Sequence, residues 1–136
     1  MRFVVDTSAL VAIINDEPEA ERFHGLLLDH EPLISCGTLI ETLRVMQVGL
    51  GPPALSAIDR LIELYGIEQA PVDIGQVVLA REGMLAYGKG RGEAPAALDF
   101  GDLFAYALAR QLRLPLLFKG QDFIATDVLP VREPAA

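Results

Sequence analysis

Phe3-Val4-Val5-Asp6-Thr7-Ser8-Ala9-Leu10-Val11-Ala12-Ile13-Ile14 is the stretch that decides the architecture. It opens with an aromatic and two β-branched residues, the make-up of a strand, and the apolar run Ala9 to Ile14 is helix-like. The polar Asp-Thr-Ser between them marks a strand passing directly into a helix. The same alternation continues outward. Asp16 with Glu19 three residues later reads as a capping box with Pro18 in the first turn, and Phe23, Leu26 and Leu27 carry the helix that follows. Leu33-Ile34-Ser35 is a second short strand. From Thr38, the positions Leu39, Leu43, Val45 and Met46 recur near the helical period until Gly49, Gly51 and Pro52-Pro53 stop the helix.

A further helix is expected from about Leu55 to Tyr65, a weak strand over Ile67 to Val72, and a helix from the N-cap Asp73 to Tyr87. The run Gly88-Lys89-Gly90-Arg91-Gly92-Glu93-Ala94-Pro95 is too glycine-rich for regular structure and reads as a mobile loop. Asp99 and Asp102 open an apolar helical segment, Leu103 to Leu112, with Arg110 and Arg113 suited to its C-terminal end. Leu116-Leu117-Phe118 is the next strand, and Leu129-Pro130-Val131 reads as a last edge strand, where a proline is tolerated. Alternating strands and helices imply an α/β fold of three layers, a short parallel sheet with helices on both faces, in one domain over residues 1–136.

Composition bounds what such a fold does. With 136 residues, 51% of them hydrophobic, the chain can bury one sizeable core. Its single cysteine, Cys36, has no intramolecular partner and reads as a small core residue in a reducing compartment. The start Met1-Arg2-Phe3-Val4-Val5-Asp6 is broken by charge too soon for a secretory or membrane segment, so a cytoplasmic protein is expected. A mean hydropathy of +0.35 points to apolar surface covered by another subunit. The net charge of −8 argues against a nucleic-acid partner unless several acids form one metal site, where bound cations reverse the local sign.

Element order brings Asp6, Glu41, Asp102 and Asp122 to one sheet edge, beyond the carboxyl ends of the strands, where such folds bind ligands. Like charges gathered there raise each other's pKa unless a cation neutralises them. Oxygen-only ligation suits Mg²⁺ or Mn²⁺. Zinc is disfavoured because the only histidines, His24 and His30, lie on and just past the second helix, with no Cys or His at ligand spacing. That placement also disfavours a histidine-pair ribonuclease or a Ser-His-Asp hydrolase. Asp99 reads foremost as the helix cap in Asp-x-x-Asp, with a fifth metal-binding acid as the other reading. Lys89, Arg91 and Lys119 are candidates for phosphate contacts, although a solvated loop accounts equally well for Lys89 and Arg91. The Gly-Lys-Gly-Arg-Gly run lacks the end of a P-loop.

Four motifs carry a resemblance: Val4-Val5-Asp6-Thr7-Ser8-Ala9-Leu10; Thr38-Leu39-Ile40-Glu41; Leu98-Asp99-Phe100-Gly101-Asp102-Leu103-Phe104-Ala105-Tyr106-Ala107-Leu108-Ala109; and Phe118-Lys119-Gly120-Gln121-Asp122-Phe123. Together and in this order they resemble PIN-domain proteins, in particular the VapC-type toxins of bacterial toxin–antitoxin pairs, over essentially the whole chain. The resemblance implies that Asp6, Glu41, Asp102 and Asp122 bind the metal, with Thr7 or Ser8 and Thr38 as supporting polar groups. It implies Mg²⁺- or Mn²⁺-assisted attack of water on an RNA phosphodiester, leaving a 5′-phosphate and a 3′-hydroxyl. It further implies an antitoxin whose C-terminal segment covers the pocket and presents an arginine to the carboxylates. Asp99 and Gln121 depart from the pattern, since many relatives carry asparagine at both places.

Two other readings compete. A receiver-type phosphoacceptor domain also pairs a strand-end acid with a late lysine such as Lys119. It needs an Asp ending a third strand, however, whereas Asp59 falls in a helical run and Asp73 reads as a cap. A haloacid-type phosphatase is not among them, because it needs an acid where Ser8 is. A PIN scaffold that binds RNA or protein without cutting is the second competitor, and the full set of acids argues against it.

Overall fold

The computed structural model describes residues 1–91 and 97–133. Its strands β1 (Arg2–Val5), β2 (Glu31–Ser35), β3 (Glu68–Ala70) and β4 (Leu116–Leu117) form one sheet in the order β3-β2-β1-β4. All pairings are parallel, with Val4 opposite Leu33 and Leu116, and Ser35 opposite Ala70. The helices are α1 (Thr7–Ile14), α2 (Ala20–Asp29), α3 (Cys36–Leu50), α4 (Pro53–Tyr65), α5 (Ile74–Tyr87) and α6 (Phe100–Leu112).

The central strand explains why three apolar residues run in succession. Phe3 and Val5 pack into a core with α1, α2 and α4, while Val4, on the other face, joins a core built largely by α6. All three are fully buried. A parallel strand covered on both faces reads as a continuous apolar run, and its two cores make the three expected layers.

Local signals set most boundaries. Asp73 caps α5 by accepting from the Gln76 backbone N–H at 2.9 Å, and Gly66, at φ 59°, ends α4. Elsewhere the chain departs from expectation. The capping box at Asp16 and Glu19 does not form: Asp16 is left-handed (φ 51°), α2 starts only at Ala20, and Glu17 and Glu19 are drawn to Lys119. Gly49 stays helical, and α3 ends at Gly51, whose φ of 83° suits only glycine well. The last segment is no strand but a bridge between Leu116 and Pro130, because proline has no N–H to extend the ladder. Cys36 is half-buried at the start of α3, not in the core. Of the glycine-rich loop, Gly92 to Pro95 lie outside the described residues.

Candidate carboxylate site

The strand ends Val5, Ser35 and Leu117 share one edge of the sheet, and the acids follow from the helices that leave it. Asp6 is the N-cap of α1, and its Oδ2 accepts from the Ser8 backbone N–H at 3.1 Å and the Ser8 hydroxyl at 2.7 Å. Ser8 Oγ in turn accepts from the backbone N–H of Lys119 at 3.0 Å, which ties the chain beyond β4 to the start of α1. Asp6 Oδ1 is buried, with no hydrogen-bond partner among the described residues. An unpaired buried carboxylate oxygen is costly, and burial accordingly pushes the Asp6 carboxyl up to about 6. The bonds from Ser8 oppose this rise and the nearby charge of Glu41 adds to it.

Asp102 lies in the first turn of α6 inside a reciprocal capping box. Asp99 Oδ1 accepts from the Asp102 N–H, and Asp102 Oδ2 accepts from the Asp99 N–H, each at 3.0 Å. The carboxyl of Asp102 is pushed up to about 8, first by burial and then by the charges of Asp6, Asp99 and Asp122, against the lowering effect of the Asp99 bond. Glu41, on α3, accepts at Oε1 from the Thr7 hydroxyl at 2.6 Å. Its Oε2 rests on the backbone of Gly101, where a Cβ would fall 1.3 Å from that oxygen. Glu41 therefore meets the start of α6 because residue 101 has no side chain.

Asp6, Glu41 and Asp102 share a pattern: hydrogen bonds hold one oxygen of each carboxylate and leave the other uncommitted. Their charges act on one another, and Asp122, exposed in the turn after β4, adds its own to Asp102. Yet among the described residues no three Asp, Glu, His or Cys side chains are close enough to hold an ion as they stand. The donors suit a hard divalent cation, all being oxygens with one buried and unsatisfied, while their mutual repulsion opposes closer approach without one.

The remaining candidates divide. Asp99 is exposed and its Oδ1 serves as the cap of α6. Thr7 reaches Glu41, Ser8 reaches Asp6, and Thr38 is fully buried with a hydroxyl that has no partner among the described residues. Lys119 is ion-paired with Glu17 and Glu19. Lys89 and Arg91 are exposed in the turn after α5, and among the described residues no hydrogen bond or ion pair brings either to the acids. Three contributors escaped the sequence reading: Glu17 and Glu19, which hold Lys119, and Gly101, which receives Glu41. A glycine one place before a site acid was the signal for Gly101; nothing local marked the others.

Comparison with known proteins bears on this arrangement. The family profile described as PIN domain matches residues 3–129. Ribonuclease VapC30 of Mycobacterium tuberculosis is 41% identical over 132 residues, covering 96% of this chain and 99% of its own. The fold is similar to that of VapC20 of M. tuberculosis, described as a sarcin-ricin loop cleaving toxin, with a TM-score of 0.76 at 19% identity over 96% of this chain and 99% of that one. It is also similar to a chain of a toxin–antitoxin complex from Klebsiella pneumoniae, with a TM-score of 0.67 at 19% identity over 95% and 96% of the two chains.

Proposed function

The chain belongs to the PIN-domain family, and from that premise we propose that it is a VapC-type endoribonuclease, the toxin of a toxin–antitoxin pair, using Asp6, Glu41, Asp102 and Asp122 as its metal-binding acids. The observation that carries the assignment is the buried Asp6 Oδ1, which has no hydrogen-bond partner among the described residues and whose charge acts on an Asp102 itself forced toward its protonated form. In this reading the four acids hold Mg²⁺ or Mn²⁺, and residues 1–136 act as a single nuclease domain. Bound there, such an ion supplies a water of lowered pKa and stabilises the charge developing on the phosphate oxygens.

The protein's own groups prepare that chemistry. Ser8 fixes Asp6 Oδ2 and so turns Oδ1 to the pocket; the Asp99 backbone does the same for Asp102. Thr7 holds one oxygen of Glu41. Lys119, while paired with Glu17 and Glu19, sits on the segment bonded to Ser8, and RNA phosphate would compete with those acids for its ammonium. Lys89 and Arg91 are offered as further phosphate contacts.

A panel of single-stranded RNAs incubated with Mg²⁺, Mn²⁺ or a chelator tests the function. Cleavage with either ion and none with chelator is expected, the products bearing 5′-phosphate and 3′-hydroxyl ends. Equal cleavage in chelator, or cyclic-phosphate ends, would overturn the reading, and a lack of cleavage throughout would favour the silent scaffold.

Gly101→Ala tests the acid set more locally. Alanine favours a helix over glycine by about 1 kcal/mol, so α6 is expected to persist while Glu41 is pushed off its seat. Cleavage should fall about a hundredfold with little loss of thermal stability, an effect in the range for losing one oriented charged group. Unchanged activity would remove Glu41 from the site.

The partner is an antitoxin, whose proposed arginine would satisfy the carboxylates in the absence of RNA. A homodimer is the proposed toxin unit, supported by exposed Ile74, Val77, Met84 and Phe100 on α5 and α6. Sedimentation at micromolar concentration is expected to give twice the 14.7 kDa chain mass, and a monomer would contradict it. No helix among the described residues is long and apolar enough to cross a membrane. Action in the cytoplasm is proposed on the single cysteine, Cys36, which has no intramolecular partner and suits a reducing compartment.

A further inference from the structure

Thr7 and Thr42 face each other across the contact between α1 and α3, their hydroxyl oxygens 2.9 Å apart. Thr42 is fully buried and Thr7 nearly so. Each hydroxyl has one proton to give, so the neighbours can be assigned by counting. The Thr7 proton has three acceptors within reach: Glu41 Oε1 at 2.6 Å, Thr42 Oγ1 at 2.9 Å and the Thr38 carbonyl at 3.4 Å. A carboxylate oxygen at the shortest distance takes it, since charge-assisted bonds are the stronger ones. Thr42 then has two acceptors, the Thr38 carbonyl at 2.8 Å and the oxygen of Thr7. When it donates to Thr7, it strengthens the bond from Thr7 to Glu41; when it turns to Thr38, its own oxygen becomes a rival acceptor for the Thr7 proton.

We propose that Thr42 is a positioning residue of the carboxylate site: its hydroxyl, through Thr7, sets which way the Glu41 carboxylate points. This rests on the reading of Glu41 as a metal-binding acid. Thr7 begins the helix that Asp6 caps, so the same hydroxyl pair also fixes Asp6 and Glu41 relative to one another. Thr42 lies one turn beyond Thr38 on α3, so its hydroxyl reaches back to the Thr38 carbonyl, the same backbone oxygen that lies 3.4 Å from the Thr7 hydroxyl. A plain helix–helix hydrogen bond would stabilise the fold alike but would carry no preference for the direction of Glu41.

Thr42→Val keeps the side-chain shape and removes the hydroxyl; Thr42→Ser keeps the hydroxyl and removes the methyl. Two measurements apply to each: Mn²⁺ binding to the folded protein without RNA, read by electron paramagnetic resonance of the free ion, and kcat and KM for RNA cleavage. Thr42→Val should weaken Mn²⁺ binding and lower kcat by about tenfold each, the effect of losing one oriented hydrogen bond, with KM for RNA unchanged. Thr42→Ser should regain both to within about threefold, even though its buried cavity lowers the melting temperature. In a Thr7→Val background, Thr42→Val should have no further effect on either quantity.

Loss that follows melting temperature, with Thr42→Ser as impaired as Thr42→Val, would overturn the proposal, as would native ion affinity in Thr42→Val. A native protein that takes up no Mn²⁺ would instead remove the reading on which Thr42 depends. Native Mn²⁺ uptake with unaltered Thr42 variants would sink this inference alone.

Discussion

Asp6→Asn is expected to lose RNA cleavage by on the order of a thousandfold while making the ion-free protein more stable near neutral pH. The two effects have one cause. Oδ1 of Asp6 is buried without a partner, so the folded protein bears the cost of an ionised oxygen that only a cation would satisfy. Asparagine keeps an acceptor for the two bonds from Ser8 and replaces the charge with an amide that can donate to the neighbouring carboxylates. Asp102→Asn should behave alike, because its bond from the Asp99 N–H needs only a carbonyl oxygen. The check is to measure cleavage and ion-free thermal denaturation on the same samples. Retained activity in both variants would end the site assignment, and variants that unfold would show the acids to be structural.

In ion-free buffer, thermal stability should fall between about pH 4 and about pH 8, and Mg²⁺ or Mn²⁺ should restore it at the upper end. Burial and neighbouring charges raise Asp6 to about 6 and Asp102 to about 8, both from an ordinary value of 3.8. Folded carboxyls that hold protons more tightly than unfolded ones make the folded state the better proton binder, so stability declines as pH rises through that interval. For Asp6 alone the shift corresponds to on the order of 3 kcal/mol. In a chain of this size that is about 10 °C in melting temperature. A bound cation reverses the sign by favouring the ionised forms. A flat profile from about pH 4 to about pH 8, or no recovery with ion, would contradict the crowding of the acids at this edge.

The parts of the fold legible in the sequence were those decided by short-range chemistry. Phe3-Val4-Val5 read as a strand because burial on both faces removes any alternation, and Asp73 and the Asp99–Asp102 pair read as caps because capping is settled within four residues. The start of α2 was misread because Asp16 and Glu19 obey the local rule, while Lys119, about a hundred residues away, recruits Glu17 and Glu19 into ion pairs. The edge segment at Leu129–Val131 makes two hydrogen bonds with Leu116, but Pro130 between them cannot prolong the ladder. For the site, residue type and element order pointed to the acids. What they could not give was the division of labour within each carboxylate, because that depends on hydroxyls and backbone groups brought in by packing.

The placement of β1 between β2 and β4 bears on how the protein comes into being. β1 is made long before β4, with which it pairs, and two of the four proposed acids, Asp102 and Asp122, lie beyond residue 100. A growing or prematurely released chain that stops short of Asp102 holds only two of the four proposed acids. Synthesis thus has to run past Asp122 before the chain carries every acid proposed to act on RNA.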